Sequence, residues 1–246
     1  MIEADPFRSF ARNDRRFIRS GPTQTAVRGS ALLRRSRPLS DNESMFVPGL
    51  AAVAQVISEV GVRWAVAGGW AIDLWLGEQT REHHDIEVVV GRADQRAVHS
   101  ALRNTWELFC LDPPGSDWRL WGGHPVDEPA FQIQARRADA VFDIFTESMD
   151  DHTWQFRRDH RITRPVADVV VMSDAGIPIV RPEIQLLYMA KSEEAKNQHD
   201  FVVTRPRLGR EEASWLAEAI RLTLPAHRWL AELPGRPSSI LSTAAN

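Results

Sequence analysis

In the middle of the chain, segments whose apolar residues have the spacing of a helix alternate with segments whose apolar residues have the spacing of a strand. Residues 50–57 have the spacing of an amphipathic helix. Strands are predicted near Trp64, Asp85, Glu107, Phe131, Val141 and Thr153, and helices over residues 70–76 and 93–104. This alternation predicts an α/β (α+β) fold, in which a small mixed β-sheet carries helices chiefly on one face.

Beyond residue 180 the pattern becomes helical. Pro182 suits the first turn of a helix. Helical spacing then continues over residues 183–194, 210–222 and 226–233. These segments predict a C-terminal helical region over residues 181–246, with a frayed tail, after a core over residues 45–180.

The first 44 residues differ in composition from the rest. They contain nine arginines, five acidic residues and no lysine, without a sustained apolar period. We therefore expect a mobile arm. Because Met45 directly precedes the first clear helix, the natural protein could begin there. The alternative is an arm that touches nucleic acid or a membrane surface.

A glycine pair interrupts the first strand-like segment. The apolar run of residues 63–67 ends at Gly68 and Gly69, and the segment from Trp70 to Leu76 is apolar except for Asp73. The pattern predicts strand, turn and helix. Glycines let a phosphate approach the backbone, and the free amides at a helix start attract anions. Gly68 and Gly69 are therefore predicted to cradle a nucleotide phosphate.

Two acids stand at the head of the next apolar strand. We expect Asp85 and Glu87 to lie on that strand and to point to one side, with Cα atoms roughly 6.5–7 Å apart. Two carboxylates in that arrangement can hold one Mg²⁺ ion or bridge two. The pair is therefore a predicted metal site beside the glycine turn.

A third carboxylate is expected on a later strand. Asp139, Asp143 and Glu147 share one phase of that strand. Periodicity alone does not choose among them.

The segments described so far resemble the DNA polymerase β-like nucleotidyltransferase superfamily. Within it, the chain is most similar to the aminoglycoside 2''-adenylyltransferase and lincosamide nucleotidyltransferase type. The resemblance covers about residues 50–205. It is carried by 68–77, Thr80, Arg81, His83, Asp85, Glu87, 142–145, 154–159, 176–178 and 181–188.

The resemblance implies a Mg²⁺-dependent enzyme that transfers a nucleoside monophosphate, AMP from ATP being the expected case, to a hydroxyl of a small molecule. An aminoglycoside or lincosamide antibiotic is the acceptor it suggests. It selects Asp143 as the third acid and the candidate general base, so that Asp85, Glu87 and Asp143 are the catalytic and metal-binding residues. One or two Mg²⁺ ions are expected.

The resemblance also implies nucleotide-binding residues beyond the glycine turn. Arg81 neutralises phosphate charge or forms a surface ion pair, and His83 holds its loop or meets the nucleotide. Lys191 and Lys196 could reach phosphates from the helical region. Met189 and Asn197 depart from the family pattern, in which lysine and aspartate are frequent, and this weakens the assignment of ligand contacts to that segment.

Composition excludes several other classes of protein. The chain has 246 residues, 43% of them hydrophobic, and a net charge of -3, which disfavours a dedicated nucleic-acid binder. No apolar run is long enough to span a membrane. Cys110 is the single cysteine, so a reducing cytoplasm is the expected location. The expected partners are a nucleoside triphosphate and a small acceptor, with the protein a monomer or homodimer.

Two hypotheses remain open at the level of the sequence. Trp118 and Trp121, near Asp117 and Asp127, could line an acceptor pocket or belong to the core. The rival function is an antitoxin-like protein of the same fold that acts on or binds a partner protein.

Overall fold

The computed structural model describes residues 48–138 and 140–235. The arm assigned to residues 1–44, Asp139 and the end of the C-terminal tail lie outside the described residues.

Helices and strands alternate through the first part of the chain. The helices there are α1 (Pro48–Ser58), α2 (Gly68–Leu76) and α3 (Gln95–Leu102). The strands are β1 (Trp64–Ala67), β2 (Glu87–Gly91), β3 (Glu107–Leu111), β4 (Arg119–Leu120), β5 (Gln132–Arg137), β6 (Ala140–Met149), β7 (Thr153–Gln155), β8 (Thr163–Pro165), β9 (Val170–Met172) and β10 (Pro178–Val180). Three further helices follow: α4 (Pro182–Met189), α5 (Ala195–Thr204) and α6 (Arg210–Thr223).

The strands form a mixed sheet in the order β4-β3-β5-β6-β2-β1-β10-β9, with β7 and β8 extending from β6. The pairs β2–β6 and β1–β10 are parallel, whereas β1–β2 and β5–β6 are antiparallel. The predicted mixed α+β fold is therefore confirmed.

The side chains of β1 and β2 alternate between two apolar clusters. Val66 and Val88 belong to the cluster beneath α1–α3, whereas Ala67 and Val89 belong to the cluster beneath α4–α6. This is the two-residue period of a strand buried on both faces. The helices of the core thus cover one face of the sheet, and the C-terminal helices cover part of the other.

Several predicted boundaries shift in the structure. The strand predicted near Asp85 begins at Glu87, and the helix predicted over residues 93–104 becomes a short 3₁₀ turn followed by α3. The helix predicted over residues 183–194 ends at Met189, and α5 was not predicted. Ser192 explains the break, because its hydroxyl accepts a hydrogen bond from the amide of Glu194 and competes with the helix.

The last predicted helix, over residues 226–233, is only a 3₁₀ turn at Arg228–Ala231. The ring of His227 accepts a hydrogen bond from the amide of Trp229 and caps that turn. Among the described residues, none of the helices combines the length and the apolar character that crossing a bilayer requires.

Candidate active site

Glu87 and Asp143 lie directly opposite each other on the parallel strands β2 and β6. Their phase directs both carboxylates to the sheet face that carries α4–α6, because their neighbours Val88, Phe142 and Ile144 belong to the opposite cluster. Neighbouring strands are about 4.8 Å apart, so the two acids are adjacent. Two of the three predicted acids therefore meet on the sheet.

Asp85 reaches this pair from the loop before β2. The expectation that it shares a strand with Glu87 was wrong, because β2 begins at Glu87. Asp85 is exposed, yet its charge raises the pKa of both Glu87 and Asp143. The three acids form one electrostatic group, which we call the acid row.

Burial and mutual repulsion dominate the electrostatics of the acid row. Burial, followed by the charges of Asp85 and Asp143, raises the pKa of Glu87 to about 7. Burial also raises the pKa of Asp143, although hydrogen bonds from Gln134 and Gln132 oppose the shift. A divalent cation would relieve this repulsion.

The donor set fits Mg²⁺, which prefers carboxylate oxygens. Within the two described ranges, however, no three His, Cys, Asp or Glu side chains already form a group that could hold a metal ion. The acid row is therefore chemically suited to a divalent cation without being closed around one.

The glycine turn fits tightly against these side chains. Gly68 has a φ of +66°, and a Cβ atom there would collide with the carboxylate of Glu87. A Cβ atom on Gly69 would meet the side chains of Arg81 and His83. No side chain caps the N-terminus of α2. The glycines thus allow the acid row to lie against the start of an uncapped helix.

Arg81 forms a buried ion pair with the C-terminal region. Its Nε and one terminal nitrogen donate to the two carboxylate oxygens of Asp200 on α5, each at 2.8 Å. Asp200 is fully buried. Arg81 was expected either to neutralise phosphate charge or to form a surface ion pair. The structure shows an ion pair, but with a buried carboxylate, and this ion pair joins the Asp85 loop to α5.

His83 is fixed within its loop. Its Nε2 lies 2.5 Å from a carboxylate oxygen of Asp73, and its ring lies 4.4 Å from that of Trp70. Thr80 donates to the other oxygen of Asp73 at 2.7 Å. Only 2% of the His83 side chain is exposed, which favours the loop-holding alternative. The sequence analysis assigned no role to Asp73. Its position as the one charged residue in an apolar helical segment was the signal that could have identified it.

A cleft of about 640 Å³ lies between the acid row and the helices α4 and α5. Gly68, Gly69, Arg81, Asp85 and Glu87 line it, and from the helical region so do Lys191 and Lys196. The charge of Lys196 lowers the pKa of Glu87. Most of the predicted nucleotide-binding residues therefore face one cavity.

Asn197 shows why the departure from the family pattern is tolerated. Its side-chain amide donates to the carbonyls of Met189 and Ser192, each at 3.2 Å, and so closes the end of α4. A carboxylate could not donate these bonds.

A buried network at the inner end of the cleft was not predicted. Glu147 accepts hydrogen bonds from Trp154, Arg157 and Tyr188. The guanidinium of Arg157 also lies over the rings of Phe131 and Tyr188. Glu147, one of the three acids that share a phase on this strand, is only 3% exposed, so its carboxylate is buried within this network.

The two tryptophans considered for an acceptor pocket occupy different environments. Trp121 is buried and donates to the carbonyl of His124 at 2.7 Å, so it belongs to the core. Trp118 is half-buried and faces the guanidinium of Arg136.

Residues 49–107 match a family model described as aminoglycoside-2''-adenylyltransferase. This match confirms the resemblance noted from the sequence. It includes the glycine turn, Asp85 and Glu87, and it ends before Asp143.

Solved structures give weaker similarities. The lincomycin-bound lincosamide antibiotic adenylyltransferase LnuA is 18% identical, with a TM-score of 0.46, over 63% of this chain and 92% of that one. The antibiotic-resistance factor ANT(2'')-Ia is 15% identical in its solution structure, with a TM-score of 0.49, over 72% and 95% of the two chains. No curated protein is a significant match.

Proposed function

We propose that the protein transfers AMP from ATP to a hydroxyl group of a small molecule. The observation that supports this best is the in-register pair of Glu87 and Asp143, with Asp85 beside it, against the glycine turn at the start of α2. The family model over residues 49–107 points to the same chemistry. Its description makes an aminoglycoside antibiotic one candidate acceptor. The resemblance in sequence adds the lincosamides.

The cleft would hold the triphosphate. The uncapped amides of α2 at Gly68 and Gly69 would face its oxygens, and Lys191 and Lys196 would balance its charge from the other wall. Arg81 and His83 would contribute indirectly, because the ion pair of Arg81 with Asp200 and the hydrogen bond between His83 and Asp73 fix the loop that presents Asp85.

Asp85, Glu87 and Asp143 would hold Mg²⁺, which when bound offsets the charge of the acids and the phosphates. Asp143 would act as the general base and accept the proton of the acceptor hydroxyl. A bond then forms between the hydroxyl oxygen and the α-phosphorus, and the bond from that phosphorus to the pyrophosphate oxygen breaks.

Pyrophosphate release tests this function. The purified full chain is given Mg²⁺ and each of the four common nucleoside triphosphates, with an aminoglycoside, a lincosamide and simple sugars as acceptors. We expect acceptor-dependent release with ATP that falls by about 100-fold or more in Asp85→Ala and Asp143→Asn. Asp151→Ala is the matched control, because Asp151 is exposed and its ion-pair partner is Arg63 rather than a member of the acid row.

Two results would count against the proposal. Release that persists in both acid variants would remove the acid row from the chemistry. If no acceptor gives pyrophosphate release while Mg²⁺-dependent ATP binding is retained, the alternative function, in which the target is a partner protein, would be favoured.

A further inference from the structure

A guanidinium group is held at the inner end of the cleft. Arg157 lines the same cavity as Gly68, Gly69 and Glu87. Its side chain is only 11% exposed, and one of its terminal nitrogens donates to Glu147. The charge of Arg157 lowers the pKa of Glu87. The cleft therefore contains a largely buried cation that acts electrostatically on the acid row.

Aromatic rings fix the plane of this guanidinium. Its central carbon lies 4.1 Å from the centre of the Phe131 ring and 4.4 Å from that of the Tyr188 ring. The Phe145 ring follows at 5.6 Å. Such contacts attract a cation and restrict a long side chain. Little conformational entropy therefore remains to be lost when a ligand meets Arg157.

Glu147 holds the same group through hydrogen bonds. Its carboxylate accepts from Arg157 at one oxygen, and from the indole of Trp154 and the hydroxyl of Tyr188 at the other. Desolvation, followed by the charge of Glu147, raises the pKa of Tyr188, so its hydroxyl keeps the proton that it donates. The ion pair is thus held from both ends.

The guanidinium has N–H groups left for a ligand. Among the described residues, Glu147 is the one hydrogen-bond partner of Arg157, and it takes one of five N–H groups. None of the nitrogen atoms of Arg157 is both buried and without a partner. The remaining N–H groups therefore open on the cleft.

These free N–H groups suit an oxyanion of a phosphate. A planar guanidinium matches phosphate oxygens through two parallel hydrogen bonds. In the proposed reaction, negative charge moves onto the pyrophosphate as its bond to the α-phosphorus breaks. A cation that is already oriented stabilises this charge without reorganising.

We infer that Arg157 is a further catalytic residue, which binds oxygens of the leaving pyrophosphate, and that Glu147 and Tyr188 are positioning residues that hold its guanidinium. The inference rests on the proposed adenylyl transfer. The bonds that form and break are those of that reaction. Arg157 keeps its proton throughout and supplies hydrogen bonds and charge.

Turnover at saturating ATP and acceptor tests the role of Arg157. Arg157→Lys keeps a charge beside Glu147 but lacks the planar fork, and we expect kcat to fall by about tenfold. Arg157→Met combined with Glu147→Gln removes both charges, so that no carboxylate stays buried without its partner. In this double variant kcat should fall by about 100-fold or more, with the KM for the acceptor nearly unchanged.

Arg161→Met is the matched control. This arginine lies on the same segment of the chain, but it is exposed and its ion-pair partner is Asp159. We expect its kcat to equal that of the natural chain.

A mutant cycle tests the positioning role of Tyr188. Tyr188→Phe keeps the ring and removes one donor to Glu147, and we expect kcat to fall by about tenfold. If Tyr188 acts through Arg157, the same change should have no further effect on kcat in the double variant. A loss of equal size in both backgrounds would overturn the positioning role, because it would show that Tyr188 acts independently of the ion pair.

Calorimetric titration with inorganic pyrophosphate and Mg²⁺ gives a readout that does not need turnover. Binding that weakens by about tenfold or more in the double variant, but not in Arg161→Met, would support the inference. Equal binding by all three proteins, or no binding by the natural chain, would overturn it. A rise in the KM for the acceptor alone would also overturn it, because Arg157 would then bind the acceptor.

Comparison with Asp85→Ala shows which of the two proposals has failed. If the natural chain releases pyrophosphate and Asp85→Ala does not, the proposed function stands. Full kcat in the Arg157 variants would then remove only the inference. If the natural chain releases no pyrophosphate with any acceptor, the proposed function fails, and the titration decides whether Arg157 binds the anion.

Discussion

At the scale of single residues, the ionised carboxylate of Glu87 destabilises the folded protein. Glu87 is half-buried, and this desolvation, followed by the charges of Asp85 and Asp143, raises its pKa to about 7 from an ordinary 4.5. Between those values the folded chain keeps a proton that the unfolded chain has released. Stability therefore falls as the pH rises from 4.5 to 7, and the whole cost remains above pH 7.

Glu87→Gln should remove this cost. We expect the variant to be more stable than the natural chain at pH 8, by up to about 3 kcal/mol, with the difference vanishing near pH 4.5. Urea unfolding at the two pH values measures it. Glu78→Gln, an exposed glutamate changed in the same way, controls for the substitution itself. A difference of equal size at both pH values would contradict the explanation.

The same residue provides a test for the metal that does not depend on activity. If Asp85, Glu87 and Asp143 hold Mg²⁺, the ion should stabilise the natural chain at pH 8 more than it stabilises Glu87→Gln, because it then relieves the repulsion within the acid row. Equal stabilisation of both proteins would argue against Glu87 as a ligand.

At the scale of elements, the turn between β1 and α2 depends on what lies against it. Gly68 and Gly77 both have positive φ angles, +66° and +77°, at the two ends of α2. A Cβ atom on Gly68 would meet the carboxylate of Glu87, whereas nothing lies within 4 Å of one on Gly77. The pair therefore separates backbone strain from crowding of the site.

Alanine at each position should give different results. Gly77→Ala should cost about 1 kcal/mol from backbone strain alone and keep its activity. Gly68→Ala carries the same strain and also displaces Glu87, so pyrophosphate release should fall by at least about tenfold. Thermal unfolding and turnover measure the two effects. Equal loss of turnover in both variants would mean that contact with Glu87 is unimportant.

At the scale of the whole molecule, the C-terminal helices complete the structure of the core. Ile184, Phe201 and Trp215 lie in one apolar cluster with Ala67 and Val89. The buried carboxylate of Asp200 also holds Arg81 in the loop that leads to Asp85. The boundary proposed at residue 180 therefore separates two parts of one packed unit.

A chain that ends at residue 181 should not fold cooperatively, because it exposes this cluster to water and leaves Arg81 unpaired. A chain that begins at Met45 is the control, since every contact described above lies beyond residue 47. Circular dichroism during heating distinguishes them. A sharp transition in the C-terminally shortened chain would show that the core is stable alone.

Local pattern determined the mixed fold, the strand, turn and helix around Gly68, and the two acids that follow the glycine turn, whereas the family resemblance selected Asp143. These features depend on periods of two and 3.6 residues and on glycine chemistry, which act between near neighbours in sequence. The break at Ser192, the short β4 and the helix α5 were not predicted, because a few side-chain bonds and sheet partners decide them.

Only tertiary structure decided which residues meet across long stretches of sequence. The register of β2 against β6 places Asp143 beside Glu87, and Glu147 is buried because Arg157 and Tyr188 fold over it. The contact between Arg81 and Asp200 spans 119 positions in the chain. The spacing of apolar residues does not predict such pairs. It shows on which side of a helix or strand a side chain lies, but not which distant side chain lies against it.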